Sequence, residues 1–159
     1  MSIAIYPGSF DPITLGHLDI IERAAACFDK VLVCVMVNCD KKQPMFTSEK
    51  RLELIQKSIA HIPNAEAENF SGLLADYARQ KGANILIKGV RNVTDFDMEM
   101  QMARINRGIE PTLETVLLPA SAEFAHFSST MAREMIRYHQ PLEKYVPAAV
   151  AEELMKGRD

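Results

Sequence analysis

Short apolar runs alternate with amphipathic helical segments along the whole of this 159-residue chain. The clearest run covers residues 31–37 (Val-Leu-Val-Cys-Val-Met-Val), and an unbroken apolar stretch of this length is typical of a strand buried on both faces. Further strands are predicted near residues 3–6, 66–70, 85–87 and 115–118. Strands that alternate with helices in this way predict an α/β fold, a doubly wound five-stranded parallel sheet with helices on both faces.

Capping signals give the expected ends of several helices. Thr47–Ser48 and Ser128–Thr130 offer side-chain oxygens that can cap a helix N-terminus. Gly82 suits the position just after a helix C-terminus. The spacing across Thr94–Asp97 resembles a capping box, with Asp in place of Glu, and predicts a helix that ends at Gly108.

Charge and hydropathy exclude several classes of protein. A net charge of −3 and a pI near 5.8 argue against a general binder of nucleic acid or of membrane surfaces. An anionic ligand must therefore be held by local clusters of Lys and Arg. No apolar run approaches the ~20 residues that span a bilayer, and the start of the chain lacks the pattern of a signal peptide. We expect a single cytoplasmic domain over residues 1–159.

The three cysteines give no sign of a disulfide framework or a zinc site. Cys27, Cys34 and Cys39 are odd in number and lack CxxC spacing. We expect buried structural thiols in a reducing cytoplasm. A redox role for Cys39 is poorly supported, because neither a partner cysteine nor a positively charged helix start is evident nearby.

The first loop carries groups suited to phosphate chemistry. Ser9 follows the first strand, and His17 opens the first helix. In an open α/β sheet, strand ends and helix starts form the ligand crevice, and free backbone N–H groups with the helix dipole favour anions there. The alternative is an ordinary loop with a surface histidine.

Four polar clusters are predicted at the same rim of the sheet, since the carboxyl ends of parallel strands lie on one edge. They contain Ser9 with His17, Lys41 with Lys42, Lys88 with Arg91, and Ser128–Thr130. Each cluster alone has a simpler interpretation, such as a solvated charge pair or a helix cap. Their convergence favours a site for a polyanion.

Familiar cofactor motifs are absent from the sequence. It contains no GxxxxGK[ST], which disfavours a P-loop NTPase, and no GxGxxG after a strand, which disfavours a dinucleotide-dependent dehydrogenase. It contains no HExxH motif or Cys/His cluster for a catalytic zinc. Of the four histidines, only His17 and His126 fall in the predicted ligand loops.

Two motifs resemble the signatures of the nucleotidyltransferase superfamily. Thr14-Leu-Gly-His17 resembles its [HT]xGH motif, and residues 127–133 (Phe-Ser-Ser-Thr-Met-Ala-Arg) resemble its ISSTxxR motif. Residues 6–14, Lys41-Lys42 before Pro44, and Lys88-Gly-Val-Arg91 narrow the resemblance to the bacterial phosphopantetheine adenylyltransferases. The resemblance implies a single Rossmann-like nucleotidyltransferase domain.

The resemblance also implies a reaction. ATP and 4′-phosphopantetheine give dephospho-coenzyme A and pyrophosphate, reversibly and with Mg²⁺, in coenzyme A biosynthesis. The attacking phosphate monoester has a second pKa of ~6 and is largely dianionic at neutral pH, so neither a strong general base nor a covalent enzyme intermediate is needed. The resemblance further implies a homohexamer and feedback by coenzyme A.

The family's functional residues are carried over by motif match. His17, Lys41 and Ser129 are the expected catalytic residues, with Lys42 as the alternative to Lys41, and no protein ligands for a metal are predicted. The expected nucleotide-binding residues are Ser9, Phe10, His17, Gly89, Val90, Arg91, Glu99, Phe124, Ala125, His126, Phe127, Ser128, Ser129 and Thr130. The expected acceptor-binding residues are Ser9, Lys41, Leu73, Leu74 and Lys88.

Some positions depart from the family pattern, and other functions remain open. Lys88 stands where Arg is usual and lacks the bidentate guanidinium fork. Ser9 stands where Thr is common, Met98 replaces a frequent Tyr, and Gln43 looks like an inserted residue. The alternatives are transfer to nicotinamide mononucleotide or glycerol phosphate, or a non-catalytic regulator that binds nucleotide or coenzyme A.

The segment around residues 98–105 carries a further apolar face. Met98, Met102 and Ile105 share one side of the predicted helix. Core or subunit packing is the expected role of this face, and a contact with the flexible pantetheine arm is the alternative.

Overall fold

The computed structural model describes residues 1–37 and 43–157. These residues form a five-stranded sheet of order β3-β2-β1-β4-β5, and every neighbouring pair is parallel. The strands are β1 (Ile3–Gly8), β2 (Lys30–Met36), β3 (Ala65–Phe70), β4 (Ile85–Val90) and β5 (Glu114–Pro119). The helices are α1 (Leu15–Cys27), α2 (Ser48–Ser58), α3 (Leu74–Lys81), α4 (Val93–Ile109), α5 (Ser129–Arg137) and α6 (Ala148–Lys156). The predicted doubly wound parallel sheet is confirmed.

The strand order reverses between β1 and β4. The chain proceeds outward from β1 through β2 to β3, then returns to the other side of β1 to form β4 and β5. In open α/β sheets ligands bind beyond the carboxyl ends of the strands at such a switch point. The ends of β1 and β4 are therefore where a site is expected.

Strand residues alternate between two cores, as the pleat requires. Val31, Val33 and Val35 face a larger core, which α1, α2, α5 and α6 cover. Leu32 and Cys34 face a smaller core, which α3 covers. Because β2 is buried on both sides, its apolar run is unbroken.

The caps at Thr47 and Ser128 are confirmed, and Gly82 adopts the left-handed conformation (φ 63°) that a helix end favours. The predicted cap at Thr94 is wrong. Asn92 is the N-cap of α4, since its side chain accepts a hydrogen bond from the Asp95 N–H. The same helix runs through Gly108 to Ile109.

Two cysteines lie in the described residues. Cys34 is buried in β2, and burial raises the pKa of its thiol to about 12. Cys27 is exposed at the end of α1, so its predicted burial is wrong. Within residues 1–37 and 43–157, no helix is both long and apolar enough to cross a membrane.

Candidate active site

A cavity of about 330 Å³ opens where β1 and β4 end. The turn after β1, the start of α1, the end of β4, one side of α4 and the start of α5 all contribute to it. Its walls include these expected site residues: Phe10, His17, Lys88, Gly89, Arg91, Glu99, Phe124, Phe127, Ser128, Ser129 and Thr130. Three of the four predicted clusters therefore contribute to one cavity.

Two glycines let α1 approach the cavity floor. A Cβ on Gly16 would lie 3.3 Å from the Cβ of Phe124, and a Cβ on Gly89 would lie 3.3 Å from Cγ1 of Ile20. Both distances are shorter than ordinary carbon contacts. The glycine of the first signature thus brings the helix start against the segment that leads to α5.

His17 is fixed by the cap of its own helix. Thr14 is the N-cap of α1, and its side chain accepts a hydrogen bond from the His17 N–H. In return the Thr14 N–H donates to Nδ1 of His17 at 3.0 Å. The rings of Phe10 and Tyr6 pack against the imidazole at centroid distances of 5.0 and 6.4 Å. The histidine takes the place that Glu or Gln holds in an ordinary capping box.

The imidazole of His17 is neutral at physiological pH. Burial, together with the positive charges of Arg91 and Lys88, lowers its pKa to about 4. Because Nδ1 accepts from a backbone N–H, the single proton of the neutral ring lies on Nε2. His17 is therefore a fixed hydrogen-bond donor.

The two cations of the cavity are paired with acidic residues of α4. Nζ of Lys88 lies 3.3 Å from Glu99, and Nε of Arg91 lies 3.0 Å from Asp95. An anion that enters the cavity competes with these carboxylates for the same donors. The pairs also hold both cations near the switch point before a ligand arrives.

The turn between β1 and α1 is tied to two distant helices. Arg51 of α2 donates to the carbonyl oxygen of Ser9 at 2.7 Å, and the hydroxyl of Ser129 donates to the carbonyl oxygen of Pro12 at 2.9 Å. Between them Phe10 has a φ of 47°, which a non-glycine residue rarely adopts. The turn is thus held in shape from both sides.

Asp11 links the same turn to the segment that precedes α2. Its buried carboxylate accepts hydrogen bonds from the N–H groups of Met45 and Phe46, at 2.8 and 2.9 Å. Its carbonyl oxygen accepts from Arg133 of α5 at 2.9 Å. The arginine of the second signature therefore contacts the turn that leads into the first signature.

Several expected site residues do not line the cavity. Ser9 is exposed beside it, and Val90 and Ala125 are half-buried neighbours of its walls. The ring of His126 packs against Tyr145 instead, at 6.3 Å. The remaining ones lie farther off or outside the described residues.

Leu73 and Leu74 stand at the start of α3, on the other side of the sheet from α1. Leu73 is 57% exposed, and Leu74 packs against the smaller core. Neither belongs to the walls of the cavity. Lys41 and Lys42 lie outside the described residues, so the fourth cluster stays a prediction.

Sequence reasoning missed some members of the cavity. Tyr6 and Ile20 line it, although an apolar run and a helical stripe mark them only as core. No role in the site was predicted for Asp95, and its pairing with Arg91 is an i, i+4 contact that the sequence spacing allows. Thr14 belongs to the first signature, and its capping spacing to His17 was the available signal.

The donors around the cavity suit a bound polyphosphate. They are the Nε2–H of His17, two cationic side chains and the N-terminus of α5, whose first backbone N–H groups have no partner within the helix. Within the described ranges, no group of three His, Cys, Asp or Glu side chains could hold a metal ion. The arrangement can stabilise charge on phosphoryl oxygens, and no side chain in it is placed as a nucleophile activated by a base.

Known proteins with similar sequences agree with this geometry. The sequence profile of the family described as Cytidylyltransferase-like matches residues 5–135. The phosphopantetheine adenylyltransferase of Synechococcus elongatus is 50% identical over 148 residues, which are 93% of this chain and 89% of that protein. The enzyme of that name from Heliobacterium modesticaldum is 45% identical over 150 residues, or 94% of this chain and 89% of its own length.

A solved structure supports the fold alone. The Vibrio parahaemolyticus protein named for nicotinate-nucleotide adenylyltransferase superposes with a TM-score of 0.71, at 20% identity, over 99% of this chain and 93% of its own. Identity of 45–50% over more than nine-tenths of the chain is far more specific. The chain therefore belongs to the Cytidylyltransferase-like family and, within it, to the phosphopantetheine adenylyltransferases.

Proposed function

We propose that this enzyme transfers the adenylyl group of ATP to 4′-phosphopantetheine, giving dephospho-coenzyme A and pyrophosphate in coenzyme A biosynthesis. The observation that carries the proposal is the cavity at the switch point. It joins a neutral His17, Lys88, Arg91 and the α5 N-terminus in a chain 50% identical to an enzyme of that name. The reaction is reversible, because one phosphoanhydride bond is exchanged for another.

The chemistry is a direct in-line displacement. An oxygen of the 4′-phosphate attacks the α-phosphorus of ATP, the new P–O bond forms, and the bond to the bridging oxygen of pyrophosphate breaks. The attacking phosphate is largely dianionic at neutral pH, so no residue has to remove a proton. The enzyme aligns two anions that repel each other and stabilises charge on the oxygens of the reacting phosphate.

His17 is the proposed donor to those oxygens. A neutral Nε2–H gives up no proton, so it stabilises the developing charge by hydrogen bonding throughout the displacement. The capping contact to Thr14 and the packing of Phe10 prevent the ring from turning. Ser129 acts with the α5 N-terminus on the phosphates, and the segment 124–130 frames the adenine.

The acceptor side of the site rests on Ser9, Lys88 and Lys41. Lys88 supplies a point charge at the end of β4 for the 4′-phosphate, and this requires its release from Glu99. Glu99 is then free to accept from the ribose. Leu73 and Leu74 are proposed to lie along the pantetheine arm, and the exposure of Leu73 leaves an apolar surface for it.

A divalent cation is proposed to enter with ATP, and Mg²⁺ is the expected one. Mg²⁺ keeps several waters and is commonly held by one or two carboxylates together with substrate phosphates. The two acidic side chains of the cavity, Asp95 and Glu99, are engaged with cations, so the donor set fits an ion held mainly by phosphate oxygens. When bound, the ion screens the charge of the triphosphate.

Assembly of several copies is also part of the proposal. Helix α4 buries no residue, and Met98, Met102 and Ile105 are each about half exposed or more. Exposed apolar stripes of this kind mark protein interfaces. We propose that this face packs on other copies in a homo-oligomer, as a hexamer, and that coenzyme A is a feedback ligand. The cytoplasmic location stays a prediction.

The deciding experiment measures pyrophosphate release together with the mass of the nucleotide product. ATP with 4′-phosphopantetheine and Mg²⁺ is expected to give dephospho-coenzyme A, and omission of Mg²⁺ to slow the reaction strongly. CTP as donor, and nicotinamide mononucleotide or glycerol phosphate as acceptor, serve as comparisons. A higher kcat/KM with any of these pairs, or binding of ATP without turnover, would overturn the proposal.

A further inference from the structure

Arg51 lies in the first turn of α2, where an arginine would ordinarily face solvent. Its side chain is instead 6% exposed, and its Nη1 donates to the carbonyl oxygen of Ser9 at 2.7 Å. Its Nε is buried and meets no hydrogen-bond partner among the described residues. A guanidinium stays charged at every physiological pH, and a buried donor without a partner is costly. The burial of a charged side chain at such a cost indicates that Arg51 has a specific role.

The contact fixes the orientation of one peptide plane. The bond between Ser9 and Phe10 is trans, so its C=O and its N–H point in opposite directions. Arg51 holds the carbonyl oxygen toward α2, which directs the Phe10 N–H away from α2. Phe10 itself lines the cavity.

The Phe10 N–H is available to a ligand. Among residues 1–37 and 43–157 the structure assigns it no acceptor. Phe10 also has a φ of 47°, and a non-glycine residue holds that conformation only where its surroundings enforce it. The Arg51 contact on one side of this residue and the Ser129 contact on the other supply the constraint.

We propose that Arg51 is a positioning residue that aims the Phe10 N–H at the phosphates of ATP. The inference rests on the proposed function. It states that catalysis in the cavity depends on a side chain that lies outside the cavity. The positive charge acts a second way, because a cation on the carbonyl oxygen polarises the peptide and makes its N–H a stronger donor. Arg51 itself touches no substrate.

The test compares Arg51→Met and Arg51→Lys with the wild type. Methionine removes the donor and the charge, so kcat is expected to fall at least tenfold and the KM for ATP to rise several-fold. Lysine keeps a positive charge and an ammonium group that can donate, and it is expected to recover part of both losses. The KM for 4′-phosphopantetheine should change less than the KM for ATP.

The matched control is Leu54→Ala, which removes a fully buried core side chain of the same helix and keeps the Arg51 side chain that bonds Ser9. Rates are expressed per folded molecule, with the folded fraction measured by circular dichroism. Leu54→Ala should lower stability and leave kcat and both KM values unchanged. If Arg51→Met behaves in the same way, Arg51 is only structural and the inference is wrong.

The result for the wild type separates this inference from the proposed function. If the wild type does not form dephospho-coenzyme A, the proposed function fails. If the wild type is active and Arg51→Met keeps its kcat and KM for ATP within twofold, only the positioning role fails. If Arg51→Met does not fold, Arg51→Lys decides alone: equal kinetics with the wild type, including the KM for ATP, would overturn the inference.

Discussion

The two sides of the sheet differ in how fully the chain covers them. On one side α1, α2, α5 and α6 enclose the larger core, and every helix there contributes a buried residue. On the other side α3 buries Ala75, Tyr77 and Ala78, whereas the longer α4 buries none. Helix α4 touches β4, β5 and α3, yet its apolar stripe faces outward.

This difference separates two roles. The well-covered side holds the turn after β1 and His17 in fixed positions, which electrostatic stabilisation of a transition state requires. The open side presents apolar area that a single copy of the chain leaves in water. The site is thus supported by packing within the chain, and the exposed α4 face is the surface proposed for association between copies.

The largest expected effect comes from the well-covered side. Replacing His17 with Asn removes the Nε2–H proposed to contact the reacting phosphate, and loss of one such donor is expected to lower kcat by about 10²–10³-fold. The measurement is steady-state turnover, with ATP binding followed by calorimetry. His61→Asn is the control, because that imidazole pairs with the exposed Glu22 away from the cavity. Turnover of His17→Asn within threefold of the wild type would remove His17 from the mechanism.

A second effect of His17 concerns stability and pH. Its pKa is about 4 in the folded protein, against an ordinary value near 6.5, so between these pH values the unfolded chain binds more protons. Stability from this residue is therefore complete above about pH 6.5 and is lost as the pH falls toward 4, by about 3 kcal/mol in all.

Urea unfolding at pH 7 and pH 4 measures this loss in the wild type and in His17→Asn. Other titrating groups are common to both proteins, so they cancel in the difference between the two pH dependences. The wild type is expected to lose about 3 kcal/mol more than the variant. Equal losses would mean that the imidazole is not held neutral by the fold.

A charged substitution on α4 tests whether its exposed apolar face is an interface between copies. Met102→Glu places a carboxylate in the apolar stripe of α4, and a desolvated charge at an interface is strongly unfavourable. The dissociation constant of the assembly is expected to rise at least tenfold, which sedimentation velocity over a range of concentrations measures. Gln101→Glu adds the same charge beside the stripe and should have little effect. Unchanged assembly in Met102→Glu would place the interface elsewhere.

Four of the strands could be predicted because each contains an apolar run, whereas β3 carries two glutamates and gave a weaker signal. Parallel pairing then placed the strand ends on one rim. The sequence therefore predicted that His17, Lys88 and Arg91 lie close together, and all three line the cavity. Leu73 was also expected at the site but does not line the cavity, because α3 lies on the other side of the sheet. Spacing along the chain does not show on which side of the sheet a helix packs. Lys41 stays a prediction.

Positions that depend on long-range contact could not be predicted. Arg51 looks like a solvent-facing residue in sequence, since charged side chains are rarely buried and its partner is 42 residues away. Asn92 and Thr94 lie two positions apart, and both side chains can cap a helix N-terminus. Only the backbone conformation shows which of them is the N-cap. Local sequence patterns predict the helices and strands, whereas the contacts between distant elements depend on the folded structure.

The smallest predicted effect concerns the start of α4, the helix that packing supports least. Asn92→Ala removes the side-chain acceptor of the Asp95 N–H, and loss of such a cap costs about 1 kcal/mol of stability. Thr94→Ala is the matched control, because Thr94 lies inside the first turn and caps nothing. Chemical denaturation should therefore show a loss only in Asn92→Ala. Since α4 has no buried residue, its ordering depends on its ends more than that of α1 does, and an equal loss in both variants would contradict the assignment of Asn92 as the cap.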